Sequence, residues 1–229
     1  MKIFLTIILS ALSAGSFSNW SDTTIHTDLN FDRKEEVIKC NYHEDKMEFV
    51  LTINEEKVTG VFYDSYDFAI EIMDINRNDN LKEVMVKGYG SSDQSDMYFY
   101  HFSGDKIVPC GHLPSNFGIE ATGDGTLTEY GWMGFWGIKL KYDFDTRKKT
   151  LTLIEEEFYD VKQECEVKNP FKLLTGRDDN SEVSVTLTRK TKLTIIKADI
   201  SPKCKYSNGT DDDFTCDWYL IRTLDGREG

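Results

Sequence analysis

A succession of short segments in which apolar and polar residues alternate constrains this chain more than any other feature. Glu48-Phe49-Val50-Leu51-Thr52-Ile53, Asp67-Phe68-Ala69-Ile70-Glu71-Ile72, Met97-Tyr98-Phe99-Tyr100-His101-Phe102 and Thr150-Leu151-Thr152-Leu153-Ile154 are the clearest cases. A period of two sends successive side chains to opposite faces, as in half-buried strands. Asn54-Glu55-Glu56-Lys57, Ser103-Gly104-Asp105-Lys106 and Asp145-Thr146-Arg147-Lys148-Lys149 each stand between two runs and are rich in residues that favour reversals. No window carries a sustained helical apolar stripe, so the expectation is an all-β fold with very little helix.

Two oxygen-rich loops punctuate these runs. Asp28-Leu29-Asn30-Phe31-Asp32-Arg33-Lys34-Glu35-Glu36-Val37 and Asp74-Ile75-Asn76-Arg77-Asn78-Asp79-Asn80-Leu81-Lys82-Glu83-Val84 begin 46 positions apart and lead into β-branched stretches. The spacing predicts repeated antiparallel β-units beginning near Asp28, near Asp74 and, degenerately, near Gly123-Asp124-Gly125, each running acidic loop, strand, hairpin, strand. Three four-stranded sheets fall short of the roughly four to eight blades of a closed propeller, leaving a partial or oligomeric propeller-like arrangement or a β-sandwich. Alternate side chains in a tight turn point to one centre, which makes Asp28, Asn30, Asp32 and Glu36, and Asp74, Asn76, Asn78, Asn80 and Glu83, two candidate ligand sets for calcium as a structural ion. The same side chains also close Asx-turns on their own backbone with no ion present.

Lys2, the apolar run Ile3 to Leu12 and the small residues Ser13 to Ser16 and Ser18 have the three-part layout of a secretory signal peptide over residues 1–18. The run is shorter than the roughly 20 residues that span a bilayer, so the expectation is a secreted or cell-surface protein with no transmembrane span. A net charge of −13 disfavours nucleic acid and anionic membranes as partners, because both are held by clustered Lys and Arg. Aromatic residues at 13% supply core material that a disordered chain lacks. None of Cys40, Cys110, Cys165, Cys204 and Cys216 forms a C-x-x-C pair, so zinc and thioredoxin-type spacings are absent. Disulfides are permitted in an exported chain. Cys204 with Cys216 would staple a local hairpin, Cys40 with Cys110 is a looser pairing, and Cys165 is left over.

Asp28, Asn30, Asp32 and Glu36 follow the D-x-N-x-D-x-x-x-E/D pattern, so residues 25–160 resemble the acidic-loop β-repeats of the FG-GAP and VCBS families. The glycine usual in the middle of that loop is replaced here by Arg33 and Lys34. The stretch Asp217-Trp218-Tyr219-Leu220-Ile221-Arg222-Thr223-Leu224-Asp225-Gly226-Arg227-Glu228-Gly229 resembles the W-Y-x-V-x-T-x-D-G-x-x-G hairpin of bacterial Src-homology-3-like domains. These resemblances imply a β-repeat domain over 19–165 and a small Src-homology-3-like barrel over 166–229, truncated unless its final strand comes from elsewhere. The second resemblance implies attachment to cell-wall peptides or glycans, with Trp218 and Tyr219 as an aromatic contact surface.

Trp132 and Trp136, in Tyr130-Gly131-Trp132-Met133-Gly134-Phe135-Trp136-Gly137, form a second aromatic candidate for ligand stacking. Strand alternation through this stretch would put both rings on one face, available either to a ligand or to the core. H-E-x-x-H, G-x-S-x-G and phosphate-loop patterns do not occur, and His26, His43, His101 and His112 are scattered. The reading is a non-catalytic binding or adhesion protein at the bacterial envelope or host surface. Its partner is a cell-wall glycan or peptide, or a protein. An accessory or inhibitory protein of a secreted enzyme system is the alternative.

Overall fold

A computed structural model describes residues 20–91, 95–115, 118–201, 204–205, 211–212 and 216–229. The expected signal peptide lies outside the described residues. The described chain is all-β, with a short 3-10 turn at Glu44–Lys46 between two strands. No helix among the described residues is long and apolar enough to cross a membrane.

Three consecutive four-stranded antiparallel meanders come first. Sheet 1 comprises β1 (Trp20–Thr27), β2 (Glu36–His43), β3 (Glu48–Ile53) and β4 (Glu56–Val61). Sheet 2 comprises β5 (Asp67–Met73), β6 (Glu83–Tyr89), β7 (Ser95–Phe102) and β8 (Ile107–Ser115). Sheet 3 comprises β9 (Ile119–Ala121), β10 (Thr126–Trp132), β11 (Gly137–Asp145) and β12 (Thr150–Ile154). The reversals at 54–55, 103–106 and 146–149 lie where turn-forming residues stand, and Asn54 and Lys149 take left-handed φ values of 54° and 56°. Each unit begins one strand earlier than its acidic loop, because β1, β5 and β9 precede the loops and pair with the strands that follow them.

Sheet 2 is the middle layer, which explains why β6 and β7 are buried on both faces. Val84 and Val86 join Phe49, Leu51 and Ile53 of sheet 1 in one apolar cluster. Met85, Met97 and Phe99 join Leu127 and Phe144 of sheet 3 in another. Each such fully buried side chain contributes about 1.5–3 kcal/mol of transfer free energy. Cys40 belongs to the first cluster and Cys110 to the second, and both thiols are free. The pairing expected between them does not form, because each faces a different side of sheet 2. The expected Cys204–Cys216 staple involves a side chain outside the described set.

The C-terminal unit consists of β13 (Tyr159–Glu166), β14 (Phe171–Leu174), β15 (Val183–Leu187), β16 (Lys192–Asp199), the two-residue strands β17 (Cys204–Lys205) and β18 (Asp211–Asp212), and β19 (Trp218–Thr223). Its strands pair in the orders β13-β16-β19, β14-β15 and β17-β18, and no closed barrel forms among the described residues. Residue 165, where the division is expected, lies inside β13, which pairs with β16. The break at Lys168-Asn169-Pro170 is a turn within this unit. Trp136 and Ile138 of sheet 3 pack on Tyr159 and Ala198, giving the two parts a shared apolar cluster.

Candidate functional site

In the first acidic loop the side chains turn back on the loop's own backbone. Asp28 Oδ2 accepts the Arg33 N–H at 2.9 Å, Asn30 Oδ1 that of Asp32 at 3.0 Å, and Asp32 Oδ1 that of Lys34 at 2.8 Å. These bonds hold Phe31 and Arg33 at φ 57° and 71°, a conformation usually left to glycine, which is how the loop closes without one. Glu36 is buried and its Oε2 accepts the N–H of Leu29, itself 0% exposed, at 2.8 Å.

The second loop repeats the scheme. Asn76 Oδ1 accepts the Asn78 N–H at 3.1 Å, and Asp79 Oδ1 accepts that of Leu81 at 3.1 Å. Glu83, 1% exposed, accepts the N–H of buried Ile75 at a longer 3.4 Å. Glu36 and Glu83 are thus equivalent, each holding the one apolar residue that its loop sends into the core. The loops also clasp the following unit: Lys82 donates its N–H to the Leu29 carbonyl at 2.8 Å, and Gly125 donates to that of Ile75 at 2.8 Å. Gly123 must be glycine here, since its φ is 83° and a Cβ would lie 2.6 Å from Arg77 Nε.

Asp28 Oδ1, Asp74 Oδ1 and Asp79 Oδ2 are buried atoms without a hydrogen-bond partner, a costly condition for carboxylate oxygens that a bound cation would relieve. Asp79 is not among the ligands expected from the sequence, whereas Asn78 and Asn80, which are, are both exposed. Among the described residues, no group of three or more His, Cys, Asp or Glu side chains is arranged to hold a metal ion. The loop aspartates with an unpartnered buried oxygen are thus Asp28 in the first loop and Asp74 and Asp79 in the second, while Asn30, Asp32 and Asn76 each direct an oxygen to the backbone. Glu36 and Glu83 each have one oxygen directed to the backbone.

Trp132 and Trp136 do not share a face. The chain reverses between β10 and β11, with the Met133 N–H donated to the Trp136 carbonyl at 2.9 Å and Gly134 at φ 78°. Alternation stops at that reversal, so Trp132 is 49% exposed while Trp136, at 2%, is core.

Trp218 and Tyr219 are brought together with residues distant in sequence. They line an apolar groove of about 390 Å³ with Phe158, Phe171, Leu173 and Ile221. The Arg177 guanidinium lies 4.7 Å from the centre of the Phe158 ring and is ion-paired with Glu157 at 2.7 Å and Asp199 at 2.6 Å, which fixes one wall. Burial, with the nearby Asp217 carboxylate, pushes the Tyr219 hydroxyl up to about 12, so it stays protonated and donates to Asp217 Oδ2 at 3.2 Å.

A second concavity of about 440 Å³ holds a pair the sequence did not suggest: His112 Nε2 lies 3.0 Å from Asp96 Oδ1, and Tyr98 stacks on the imidazole at 4.2 Å. Only the β7–β8 hairpin register, which sets Tyr98 opposite His112, could have signalled it. Asp96 also accepts the Tyr63 N–H at 2.5 Å, so the pair braces a loop. Its lining, Lys46, Met47, Val61, Phe62 and Tyr63 besides the pair and Tyr98, offers no serine, threonine or cysteine for the imidazole to activate. No family model, no curated protein and no solved structure matches this chain.

Proposed function

We propose that this chain is an exported, non-catalytic binding protein of the cell envelope or a host surface. In this reading the three meanders are repeats of the FG-GAP or VCBS kind, set as part of a propeller. Calcium held by Asp28, Asn30 and Asp32, and by Asp74, Asn76 and Asp79, would neutralise buried carboxylate oxygens and stiffen the loops. The C-terminal unit, Src-homology-3-like, carries the ligand.

The observation behind the reading is the groove itself: a concave apolar surface lined by Trp218 and Tyr219 together with Phe158 and Phe171. Ligand sites are typically of this kind, an apolar concavity with few polar groups, and aromatic side chains give large contact area at low entropic loss. The test is co-sedimentation of the intact chain and of Trp218→Ala with purified peptidoglycan, alongside binding to an immobilised peptide array. Binding lost in Trp218→Ala supports the groove; binding equal in both, or absent from both probes, overturns it.

A further inference from the structure

We propose that the loop joining β4 to β5 is a second binding surface, separate from the groove, and that its occupant is an arginine-bearing segment of a protein partner. Guanidinium groups stack on Tyr63 and Tyr66 and pair with Asp64 and Asp67.

The loop repeats a dyad: Tyr63-Asp64, then Ser65, then Tyr66-Asp67. Phe62 and Ser65 are buried, while the four dyad residues are exposed, Tyr63 at 86% and Tyr66 at 66%. The backbone between them is tied down at nearly every step. Phe62 donates its N–H to the Met47 carbonyl at 2.8 Å, Tyr63 to Asp96 Oδ2 at 2.5 Å, and Tyr66 to the Tyr89 carbonyl at 3.0 Å. The Ser65 carbonyl accepts the Tyr42 hydroxyl, and Asp64 Oδ2 accepts that of Ser91. Gly88 lets the loop lie this close, since a Cβ there would come 2.4 Å from Ser65 Oγ and 2.6 Å from the Phe62 ring. Joining sheet 1 to sheet 2 accounts for these braces, but not for two large rings left in water. Rings carried on a backbone already held in place offer contact area with little further ordering on binding.

Charge selects the occupant. Burial, and then the carboxylates of Glu44, Asp64 and Asp67, push the Tyr42 hydroxyl above its ordinary value, so all three acids act where that hydroxyl meets the loop. The Tyr89 hydroxyl is likewise raised by burial, then by Glu71 and Asp67. The cations on this side are already engaged or lie to one flank: Lys87 Nζ sits 4.8 Å from the centre of the Tyr89 ring, His112 pairs with Asp96, and Lys46 lines the concavity beside Tyr63. An exposed ring next to a carboxylate suits a guanidinium, which stacks through its plane and pairs through its fork, whereas an ammonium acts as a point charge. The net charge of −13 draws such a segment in from a distance.

The test uses the intact chain and two dye-labelled nonapeptides: Gly-Ser-Arg repeated three times, and the same sequence with citrulline, a neutral isostere, in place of arginine. Binding is followed by fluorescence anisotropy at physiological salt. The expected result is binding of the arginine peptide in clear preference to the citrulline peptide. Tyr63→Ala combined with Tyr66→Ala is expected to weaken it about tenfold, the loss of two exposed cation–π contacts. Tyr63→Phe with Tyr66→Phe keeps both ring faces and should bind as the parent does, as should Trp218→Ala. Both tyrosines are exposed, so the urea midpoint of each variant should match the parent's. Unchanged binding in the alanine variant, whose charge equals the parent's, means general attraction to an acidic chain and overturns the proposal. Equal binding of both peptides, or no binding of the arginine peptide, overturns it too. Weakened binding in the phenylalanine variant removes ring stacking as the cause, and loss of binding in Trp218→Ala moves the peptide to the groove; either result overturns this surface.

Discussion

Glu36 accepts the backbone N–H of Leu29 at 2.8 Å in a place where both residues are buried. Truncation to alanine leaves that donor buried and unpaired, which costs about 1–3 kcal/mol. Glu36→Ala is therefore expected to lower the urea midpoint markedly, Glu36→Gln to lower it less because an amide oxygen remains, and Glu35→Ala, at an exposed neighbour, to leave it unchanged.

Gly60 lies beneath the Phe49 ring, where an added Cβ would come 2.2 Å from a ring carbon. Gly60→Ala is expected to destabilise by about 1–3 kcal/mol through overpacking. Phe49→Leu vacates the contested space at its own cost. The double variant is expected to be more stable than the sum of the single changes allows, and a urea-denaturation double-mutant cycle measures that coupling.

Calcium bound to the acidic loops as proposed would stabilise the folded chain by mass action, by about 2.7 kcal/mol per site at a hundredfold excess over Kd. Scanning calorimetry should show Tm rising with millimolar calcium and returning on chelation, with a smaller rise in Asp28→Ala and in Asp74→Ala. An unchanged Tm removes calcium from the proposal.

Two buried carboxylates give opposite pH dependences. Burial raises the Glu129 carboxyl above its ordinary value, partly offset by the Tyr142 hydroxyl donated to it at 2.7 Å. Its stabilising contribution is complete below the unfolded value of about 4.3 and is lost as pH rises through the higher native value. Asp199 is also subject to burial, which raises it, but bonds from Ser201 and Arg177 outweigh this and hold it below its ordinary value. Its contribution is present above about 3.9 and is lost as pH falls through the lower native value. Glu129→Gln should thus compare more favourably with the parent near neutrality than in acid. Asp199→Asn should be weaker near neutrality, with a deficit that shrinks in acid; urea midpoints across pH measure both.

Burial pushes the Cys40 and Cys110 thiols up to about 12, while Cys165 is exposed on β13. Because the thiolate is the reactive form, a thiol-specific disulfide reagent should label Cys165 in the native chain, and Cys40 and Cys110 only on unfolding. Cys165→Ser should abolish the native phase attributed to that thiol.

Local patterns wrote much of this fold into the sequence. Alternation in Glu48–Ile53 and Asp67–Met73 reports side chains meeting two different environments, and the spacing from Asp28 to Asp74 reports equivalent loops. β1 was harder to read because Trp20–Thr27 lacks alternation, and β9 is only three residues long. Alternation alone puts Trp132 and Trp136 on one face, whereas Gly134, at positive φ, turns the chain between them and parts the two rings. The groove could be half seen: Trp218 and Tyr219 belong to a local hairpin pattern, but Phe158, Phe171 and Arg177 join them only through non-local pairing. Such pairing leaves no periodic trace.

The clasp from Leu29 to Lys82, repeated from Ile75 to Gly125, is made by peptide groups on both sides. Replacing a side chain does not delete either partner, provided the newcomer is not proline. The linkage between neighbouring layers is thus insulated from most side-chain replacements, and Gly125 receives it in the third layer although Gly123-Asp124-Gly125 differs in composition from the loops at 28–37 and 74–84.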